Sequence, residues 1–287
     1  MRFYCVSDGT PGETISLLRA ACESRDVSFH DIDATRFAFD GDAGLSAGDA
    51  LYCPAVSSAA ARVEQFLWHD RVATFYTDSL GPFFSTLGYP LLFQHAGLPI
   101  PRSIPIVTPD REGLKAAVKA VGGLPAIVKL LGWEGGVGTL RVDSLPALFS
   151  AIDYILAQGQ RPFLCAYIDD AVHWRAIVVG SRVVAAYRNV MRADDFRTFA
   201  GDDAADYTSE PPGRVANVAI RAVQALRLQF GGVDILEHPS GRVYLLEANF
   251  PCYFAHAQTT GGIDVAGAMV EHLLQRSRAI AETIPAS

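Results

Sequence analysis

Hydrophobic and polar positions follow two alternating patterns over the first 80 residues. Short apolar runs, typical of buried strands, are separated by stretches with apolar residues three or four positions apart, typical of amphipathic helices. Because strand and helix alternate, the pattern predicts a small parallel α/β unit here. The predicted strands are residues 3–6, 28–32, 50–53 and 73–76, and the predicted helices are residues 13–24 and 59–67, the latter capped by Ser57 or Ser58.

A segment rich in Gly and Pro, residues 88–109, links this unit to the rest of the chain. Beyond it, helical and strand periodicities again take turns. The predicted helices are residues 91–96 (the end of a helix), 111–121 and 145–156, and the predicted strands are residues 126–130, 139–142 and 162–168.

The last 120 residues contain two predicted β-hairpins. The first pairs residues 173–179 with 182–188 across Gly180-Ser181, and the second pairs 233–236 with 243–246 across a Pro-Ser-Gly turn. Between them, residues 190–212 are polar and aperiodic, which is typical of an active-site lid or a substrate loop. The remaining expectations are a helix over residues 214–228, a loop over 250–255, a last helix over 264–276 and a loose final ten residues.

The chain has 287 residues, of which 50% are hydrophobic, and a mean hydropathy of +0.19. This composition supports a substantial core and two or three sub-domains. The net charge of −7 without any basic block argues against nucleic acid as a partner. No apolar run reaches the ~18 residues of a membrane span, and the first residues do not resemble a secretory signal. Five scattered cysteines without Cys-x-x-Cys spacing fit a reducing compartment, so a soluble cytoplasmic protein is expected.

Three oxygen-bearing side chains lie near the strand ends of the second hairpin. Asp234 is in the first strand, while Glu247 and Asn249 are two residues apart in the second and therefore share a face. If the strands pair, Asp234 approaches both. Such oxygen ligands suit Mg²⁺, which usually keeps positions open for water and phosphates. An ordinary hairpin with a polar rim is the alternative reading.

Lys129 differs from the other two lysines of the chain because it lies within an apolar strand. An unpaired charge there would be costly, so its position indicates an anionic partner. Residues 132–138 then form a glycine-dense loop whose backbone N–H groups can cradle phosphates. This is not a Walker A motif, because the lysine precedes the glycines and no helix follows. A flexible hairpin that binds nothing is the alternative.

Two arginines, Arg175 and Arg188, lie inside the first hairpin, where arginine usually has an anion to bind. Edge-strand arginines pointing at solvent would give the same pattern. Asp169 and Asp170 directly follow the predicted strand 162–168. This arrangement would suit a hinge whose backbone binds adenine and whose carboxylate accepts hydrogen bonds from ribose. A strand that simply ends at these residues would give the same pattern.

The lysine strand, the glycine loop, the Asp-Asp hinge, the Gly-Val-Asp strand and the Glu-x-Asn end occur in a fixed order. That order resembles the ATP-grasp superfamily, most closely its RimK-like carboxylate–amine ligases. The matching stretches are PAIVKLLGWEGGVGTLRV, WRAIVVGSRVVAAYR, FGGVDILEHPSGRVYLLEAN and TTGGIDVAGAMVEHLL. The resemblance covers residues 90–278, and residues 1–85 suit the family's N-terminal α/β domain by layout more than by motif.

The resemblance implies an ATP-grasp fold that is α/β overall and α+β in its C-terminal part, with an N-terminal parallel α/β pre-ATP-grasp domain. The implied domains are residues 1–88, residues 89–166 with the phosphate-covering glycine loop, and residues 167–287 with the metal site.

ATP and Mg²⁺ are the cofactors that the resemblance implies, the metal as two ions for which Mn²⁺ can substitute. Lys129 would contact the nucleotide phosphates, beneath a loop containing Gly135, Gly136 and Gly138. The other implied site residues are Ala166, Tyr167 and Ile168 at adenine, Asp169 and Asp170 near ribose, Asp234, Glu247 and Asn249 at the metal, and Arg175 and Arg188 at the transferred phosphoryl group.

The implied activity is ATP-dependent formation of an amide-type C–N bond between an amine and a small carboxylate, such as an amino acid or a peptide-like molecule. The reaction would pass through an acyl phosphate and release ADP and phosphate, and both groups can belong to one molecule that closes a ring. A non-catalytic ATP-binding regulatory module and an ATP-grasp phosphotransferase are the alternatives. Family members are often dimers, so a homodimer is implied, but the sequence fixes no surface for it.

Several positions depart from the family's pattern. Thr86 stands near an additional lysine of many relatives, which leaves Lys129 as the one lysine expected on the phosphates. His173 replaces an acidic residue two positions before the hairpin arginine, and Phe199 stands where many relatives have asparagine. These changes bear on the substrate side more than on the ATP and metal core.

Overall fold

The computed structural model describes residues 1–39, 44–84, 89–130, 137–191 and 194–283, and the statements below concern these residues. They form three β-sheets with α-helices packed around them.

The first sheet is parallel, with its strands in the order β2-β1-β3. Its elements are β1 (Arg2–Ser7), α1 (Gly12–Glu23), β2 (Ser28–Asp33), β3 (Ala50–Tyr52) and α2 (Ser58–Leu67). The Ser57 hydroxyl caps α2 by accepting from the Ala60 N–H, as expected of serine at this position. The parallel α/β unit predicted from the sequence is therefore confirmed.

A fourth strand over residues 73–76 was expected in this sheet, and this expectation is wrong. Ala73 forms only an isolated bridge to Ala50, and Tyr76 forms another to Leu228. The backbone of this stretch divides its hydrogen bonds between two partners, because the Phe75 carbonyl accepts from the Gln229 N–H of the C-terminal part. It therefore joins the first sheet to the last part of the chain.

The second sheet is antiparallel, with its strands in the order β4-β7-β5-β6. Its region contains α3 (Tyr89–His95), β4 (Ser103–Ile104), α4 (Arg111–Val121), β5 (Ala126–Lys129), β6 (Thr139–Val142), α5 (Leu145–Ala157) and β7 (Phe163–Ala166). The helix α4 begins after the Asp110 cap and ends at Gly122, whose φ of +115° suits glycine. Buried side chains of α4 and α5, such as Leu114 and Ile152, cover one face of the sheet at Val128.

The third and largest sheet is antiparallel, with its strands in the order β10-β9-β8-β12-β13 and β11 also paired with β9. Its elements are β8 (Val172–Val179), β9 (Arg182–Met191), β10 (Thr198–Ala200), β11 (Tyr207–Thr208), α6 (Gly213–Ala225), β12 (Phe230–Glu237), β13 (Val243–Asn249), α7 (Ala255–Thr259) and α8 (Val265–Thr283).

The two faces of the third sheet belong to different cores. One face packs against α6. The other contributes Ile177, Tyr187 and Phe230 to a core shared with α1, α8 and the buried face of the first sheet. This shared core fixes the first and third sheets against each other.

Within residues 190–212, the segment expected to be an active-site lid or a substrate loop, β10 and β11 extend the third sheet by pairing with β9. One further expectation is wrong. The final ten residues are not a loose tail over their described part, because α8 continues to Thr283. Buried residues such as Leu273 and Ser277 stabilise this helix against the rest of the protein. The Ser277 hydroxyl also donates a hydrogen bond to the Gly48 carbonyl.

Candidate active site

Charged side chains meet on one face of the third sheet, across three adjacent strands. Arg175 of β8 is directly opposite Asp234 of β12, and Asp234 is directly opposite Glu247 of β13. Residues directly opposite in an antiparallel sheet point to the same face. Asn249 lies two residues beyond Glu247, and its Nδ2 donates to Glu247 Oε1 at 3.0 Å. The expected approach of Asp234, Glu247 and Asn249 thus occurs.

Asp234 and Arg175 form a buried ion pair, with Arg175 Nη1 2.5 Å from Asp234 Oδ2. Burial alone would raise the pKa of Asp234, but the guanidinium of Arg175 and the contact with His173 outweigh it and lower the pKa to about 2. Burial would lower the pKa of Arg175, yet the carboxylate of Asp234 keeps it raised. Both groups are therefore charged. Arg175 Nε is buried without a hydrogen-bond partner among the described residues.

Lys129, from the second sheet, is a second cation in the cluster. It ends β5, and its Nζ lies 2.7 Å from Glu247 Oε2. Both side chains are about one-third exposed, at 27% and 38%. The charge of this apolar strand in the second sheet thus meets a carboxylate of the third sheet.

Gly232 leaves room for the buried side chain of Arg175 beside Asp234. A Cβ at Gly232 would lie 2.8 Å from Arg175 Nε and 2.9 Å from Cys252 Cβ, so the arginine and the cysteine pack directly on the glycine. Glycine within a strand is typical of such a close approach. Burial raises the pKa of Cys252 to about 12, so its thiol is neutral and is not an activated nucleophile.

His173 and Thr198 complete the surroundings of Asp234. His173 Nε2 is 3.2 Å from Asp234 Oδ1, and His173 Nδ1 is hydrogen-bonded to the Thr198 hydroxyl. His173 precedes Arg175 by two residues and therefore shares its face of β8. Thr198 belongs to β10.

Arg188 is not brought to this cluster. It is opposite Trp174 in β8, whereas Arg175 is opposite Tyr187, so the two arginines point to opposite faces of the sheet. Its Nη2 lies 2.8 Å from Asp206 Oδ1, and its side chain is about half exposed.

The stretch expected at adenine and ribose begins beside the lysine strand. β7 pairs with β5, with Phe163 opposite Lys129, and it ends at Ala166. Tyr167 then lies under the guanidinium of Arg141, which is 4.5 Å from the ring centroid. The remaining residues of this set follow in the chain: Ile168 is half-buried, and Asp169 and Asp170 are exposed, with Asp170 at a φ of +52°. Of the expected glycines, Gly138 has a φ of +76°, and Gly135 and Gly136 lie outside the described residues.

Sequence reasoning did not assign Gly232, Cys252 or Thr198 to the site. A glycine pair inside a strand is a signal that could have identified Gly232. No pattern marks Thr198 or Cys252, because both lie in stretches without periodicity. In the described ranges, no three His, Cys, Asp or Glu side chains are grouped as a metal site, and the candidate ligand set has two carboxylates and one amide. No helix in the same ranges has the length and apolar character needed to span a bilayer.

A lysine of one antiparallel sheet thus lies beside a carboxylate and an asparagine of another, which agrees with the ATP-grasp resemblance of the sequence. A sequence model of the RimK-like ATP-grasp domain matches residues 88–273, and the chain belongs to this family. The expected family and fold class are thereby confirmed.

The chain is similar to ribosomal protein bS6--L-glutamate ligase from Salmonella paratyphi B, with 34% identity over 158 residues. The match covers 54% of this chain and 52% of that relative, so the chain spans about half the length of the curated relatives it matches.

Solved structures share the fold over nearly the whole chain. ATP-grasp ligase PsnB, complexed with minimal precursor, Mg and ADP, has a TM-score of 0.72 at 18% identity and covers 96% of this chain and 98% of its own. D-cycloserine synthetase DcsG has a TM-score of 0.69 at 14% identity, with coverages of 96% and 100%. Macrocyclase MdnC from Microcystis aeruginosa MRC, bound with precursor peptide MdnA, has a TM-score of 0.68 at 16% identity, with the same coverages.

Proposed function

We propose that the protein is an ATP-dependent carboxylate–amine ligase. The observation that carries this proposal is the meeting of Lys129 from the second sheet with Glu247, Asp234 and Arg175 on one face of the third. Such a cluster offers cations for phosphates and oxygen ligands for a metal. Membership of the RimK-like family supports the same reading.

The donor set fits Mg²⁺. Asp234 and Glu247 are each paired with a side-chain cation, Arg175 and Lys129, so the cluster accommodates positive charge at both carboxylates. Because Asn249 donates through Nδ2, its Oδ1 is available as a further ligand. In this proposal Asp234, Glu247 and Asn249 hold one or two Mg²⁺ ions, for which Mn²⁺ can substitute.

In this proposal ATP binds beside the cluster. Lys129 would contact its phosphates, the loop with Gly138 would cover them, and the stretch from Ala166 to Ile168 would line adenine. Asp169 or Asp170 would meet the ribose.

Bound ATP supplies the phosphoryl group that activates a carboxylate, and bound Mg²⁺ offsets phosphate charge. A substrate carboxylate oxygen bonds to the γ-phosphorus as the bond to the β–γ bridging oxygen breaks, which releases ADP. The amine nitrogen then bonds to the acyl carbon, the acyl–phosphate bond breaks, and a proton leaves the nitrogen. Lys129 and Arg175 stabilise the charge that shifts among these oxygens. No side-chain nucleophile is required, which agrees with the neutral thiol of Cys252.

We propose a small carboxylate, an amino acid or a peptide-like molecule, as the substrate, with an inter- or intramolecular amine. Chain length does not decide between these substrates, since PsnB and MdnC share the fold over nearly their whole lengths and are complexed with precursor peptides. Five free cysteines fit a reducing cytoplasm as the site of the reaction. A homodimer remains part of the proposal.

The test is release of ADP and of phosphate from Mg-ATP with mixtures of amino acids, amino carboxylates and short peptides. A ligase releases both in a substrate-dependent way, and Glu247→Gln should abolish release because a metal oxygen is replaced. Glu112→Gln, an exposed change on α4, is the matched control and should retain the wild-type rate. ADP without free phosphate would instead identify a phosphotransferase, and ATP binding without turnover would identify a regulatory module.

A further inference from the structure

The imidazole of His173 contacts two different elements of the third sheet. On one side Nε2 lies 3.2 Å from Asp234 Oδ1 in β12. On the other side Nδ1 is hydrogen-bonded to the Thr198 hydroxyl in β10, at the edge of the sheet. The side chain is only 15% exposed. One ring therefore connects a proposed metal ligand to the edge of the substrate-side segment, residues 194–208.

The chemistry of the partners fixes the direction of both hydrogen bonds. The Asp234 carboxylate, which is paired with the Arg175 guanidinium, accepts, so His173 Nε2 carries the proton and donates. His173 Nδ1 then accepts from the Thr198 hydroxyl, which is free to donate. With Nε2 donating and Nδ1 accepting, both ring nitrogens have a partner in this chain of two hydrogen bonds.

The same contact fixes the orientation of the Asp234 carboxylate. Its Oδ2 is held by Arg175 and its Oδ1 by His173. Partners that hydrogen-bond a ligating side chain are what hold it in position. Without His173, Oδ1 would be buried without this partner and the carboxylate could rotate about its last bond.

β10 depends on such side-chain contacts. It has three residues and, among the described elements, pairs only with β9. A short edge strand has few backbone hydrogen bonds and opens at low free-energy cost. The Thr198–His173 hydrogen bond adds an anchor that reaches two strands inward, to β8.

We propose that His173 is a positioning residue that fixes the position of the substrate-side segment relative to the Asp234 carboxylate. The contact itself is independent of the reaction, and its effect on turnover rests on the proposed ligase function. One side chain would then position both the substrate-side segment and the proposed metal ligand Asp234.

Two isosteric variants separate the two hydrogen bonds. An asparagine amide reaches the position of Nδ1, so His173→Asn keeps the Thr198 contact and loses Asp234. A glutamine amide reaches the position of Nε2, so His173→Gln keeps Asp234 and loses Thr198. Thr198→Val is the matched change at the far end of the chain of hydrogen bonds.

The first readout needs no turnover. Hydrogen exchange of the Thr198–Ala200 amides should be faster by about fivefold in His173→Gln and in Thr198→Val, since one hydrogen bond is worth about 1 kcal/mol. His173→Asn should exchange like the wild type. Because one contact is lost in each case, the double variant His173→Gln/Thr198→Val should exchange no faster than either single variant.

The second readout is kinetic. His173→Gln and Thr198→Val should raise the KM for the substrate about fivefold and leave the Mg²⁺ concentration at half-maximal rate within about twofold. His173→Asn should do the reverse. If His173 only filled space, the two variants would not separate the KM for the substrate from the Mg²⁺ concentration at half-maximal rate.

Equal losses in both isosteres, or wild-type exchange in Thr198→Val, would overturn the proposal. If no substrate supports turnover in the wild type, the ligase function fails, and the exchange comparison still decides whether His173 anchors β10.

Discussion

At the scale of single residues, the site is a small network of opposite charges that are close because of sheet register. Asp234 is held by Arg175, Glu247 by Lys129, and neither carboxylate depends on a residue adjacent in sequence. An ion pair as buried as Arg175–Asp234 is costly to break from one side, because the remaining charge stays away from water. The arginine thus has a structural effect that is separable from any catalytic one.

Arg175→Met should destabilise the protein by about 3–5 kcal/mol, because Asp234 is left buried without its counter-charge. Denaturant unfolding of the ligand-free protein measures this loss. The double variant Arg175→Met/Asp234→Asn should lose less than the single variant, since no uncompensated charge remains. A single variant that loses under about 1 kcal/mol would contradict the buried pair.

Arg188→Ala should keep most of the ligase activity and cost less than about 1 kcal/mol, because its half-exposed pair with Asp206 lies on the other face of the sheet. Arg175→Ala, assayed in parallel, should lose activity by at least about a hundredfold. A large, selective loss of kcat in Arg188→Ala would contradict the placement of this arginine outside the site.

At the scale of elements, the third sheet shows what the sequence could and could not predict. Period-two alternation and the Pro-Ser-Gly turn were enough to bring Asp234 near Glu247. Alternation across the two-residue turn alone would have put Arg175 and Arg188 on the same face. The bulge near Ile177 shifts the register by one residue, so that Arg175 is opposite Tyr187 and the two arginines point to opposite faces. The positions of β10 and β11 depend on pairing with β9, which no local pattern in residues 194–208 encodes.

Gly232→Ala should lower activity and destabilise the protein by about 1–3 kcal/mol, because the added methyl group would meet Arg175 and Cys252 below 3 Å. Gly213→Ala, in the first turn of α6 with open space at its Cβ position, is the control and should be neutral or slightly stabilising. Thermal unfolding and the ADP-release assay check both. Equal behaviour of the two variants would contradict the packing of Arg175 on Gly232.

At the scale of the whole molecule, the first and third sheets are joined by side chains as well as by the shared core. Arg276 of α8 donates to the Tyr76 carbonyl, and Tyr76 packs edge-on against Phe250, which directly follows Asn249. The Tyr76 hydroxyl bonds to both carboxylate oxygens of Glu64, at 3.1 and 3.2 Å. Burial nevertheless raises the pKa of Glu64 from 4.5 to about 7.

This carboxyl should make stability depend on pH. Its pKa is higher in the folded protein, so its favourable contribution is complete below pH 4.5 and is lost as the pH rises through about 7. Between pH 5 and pH 8 the wild type should lose about 2–3 kcal/mol relative to Glu64→Gln, which keeps the Tyr76 hydrogen bond without the charge. Denaturant titrations at both pH values measure the difference. Parallel pH dependence in the two proteins would contradict the buried acid.

The packing of α1 against α8 has a consequence for synthesis on the ribosome. The apolar side of α1, with Leu18 and Ala21, is covered by residues such as Met269 that lie more than 240 positions later. Translation adds about 5–20 residues per second, so the apolar side of α1 stays uncovered for roughly 12–48 s before α8 has been synthesised. During that interval its exposed surface is a target for holdase chaperones, and α8 covers this surface once the helix has emerged.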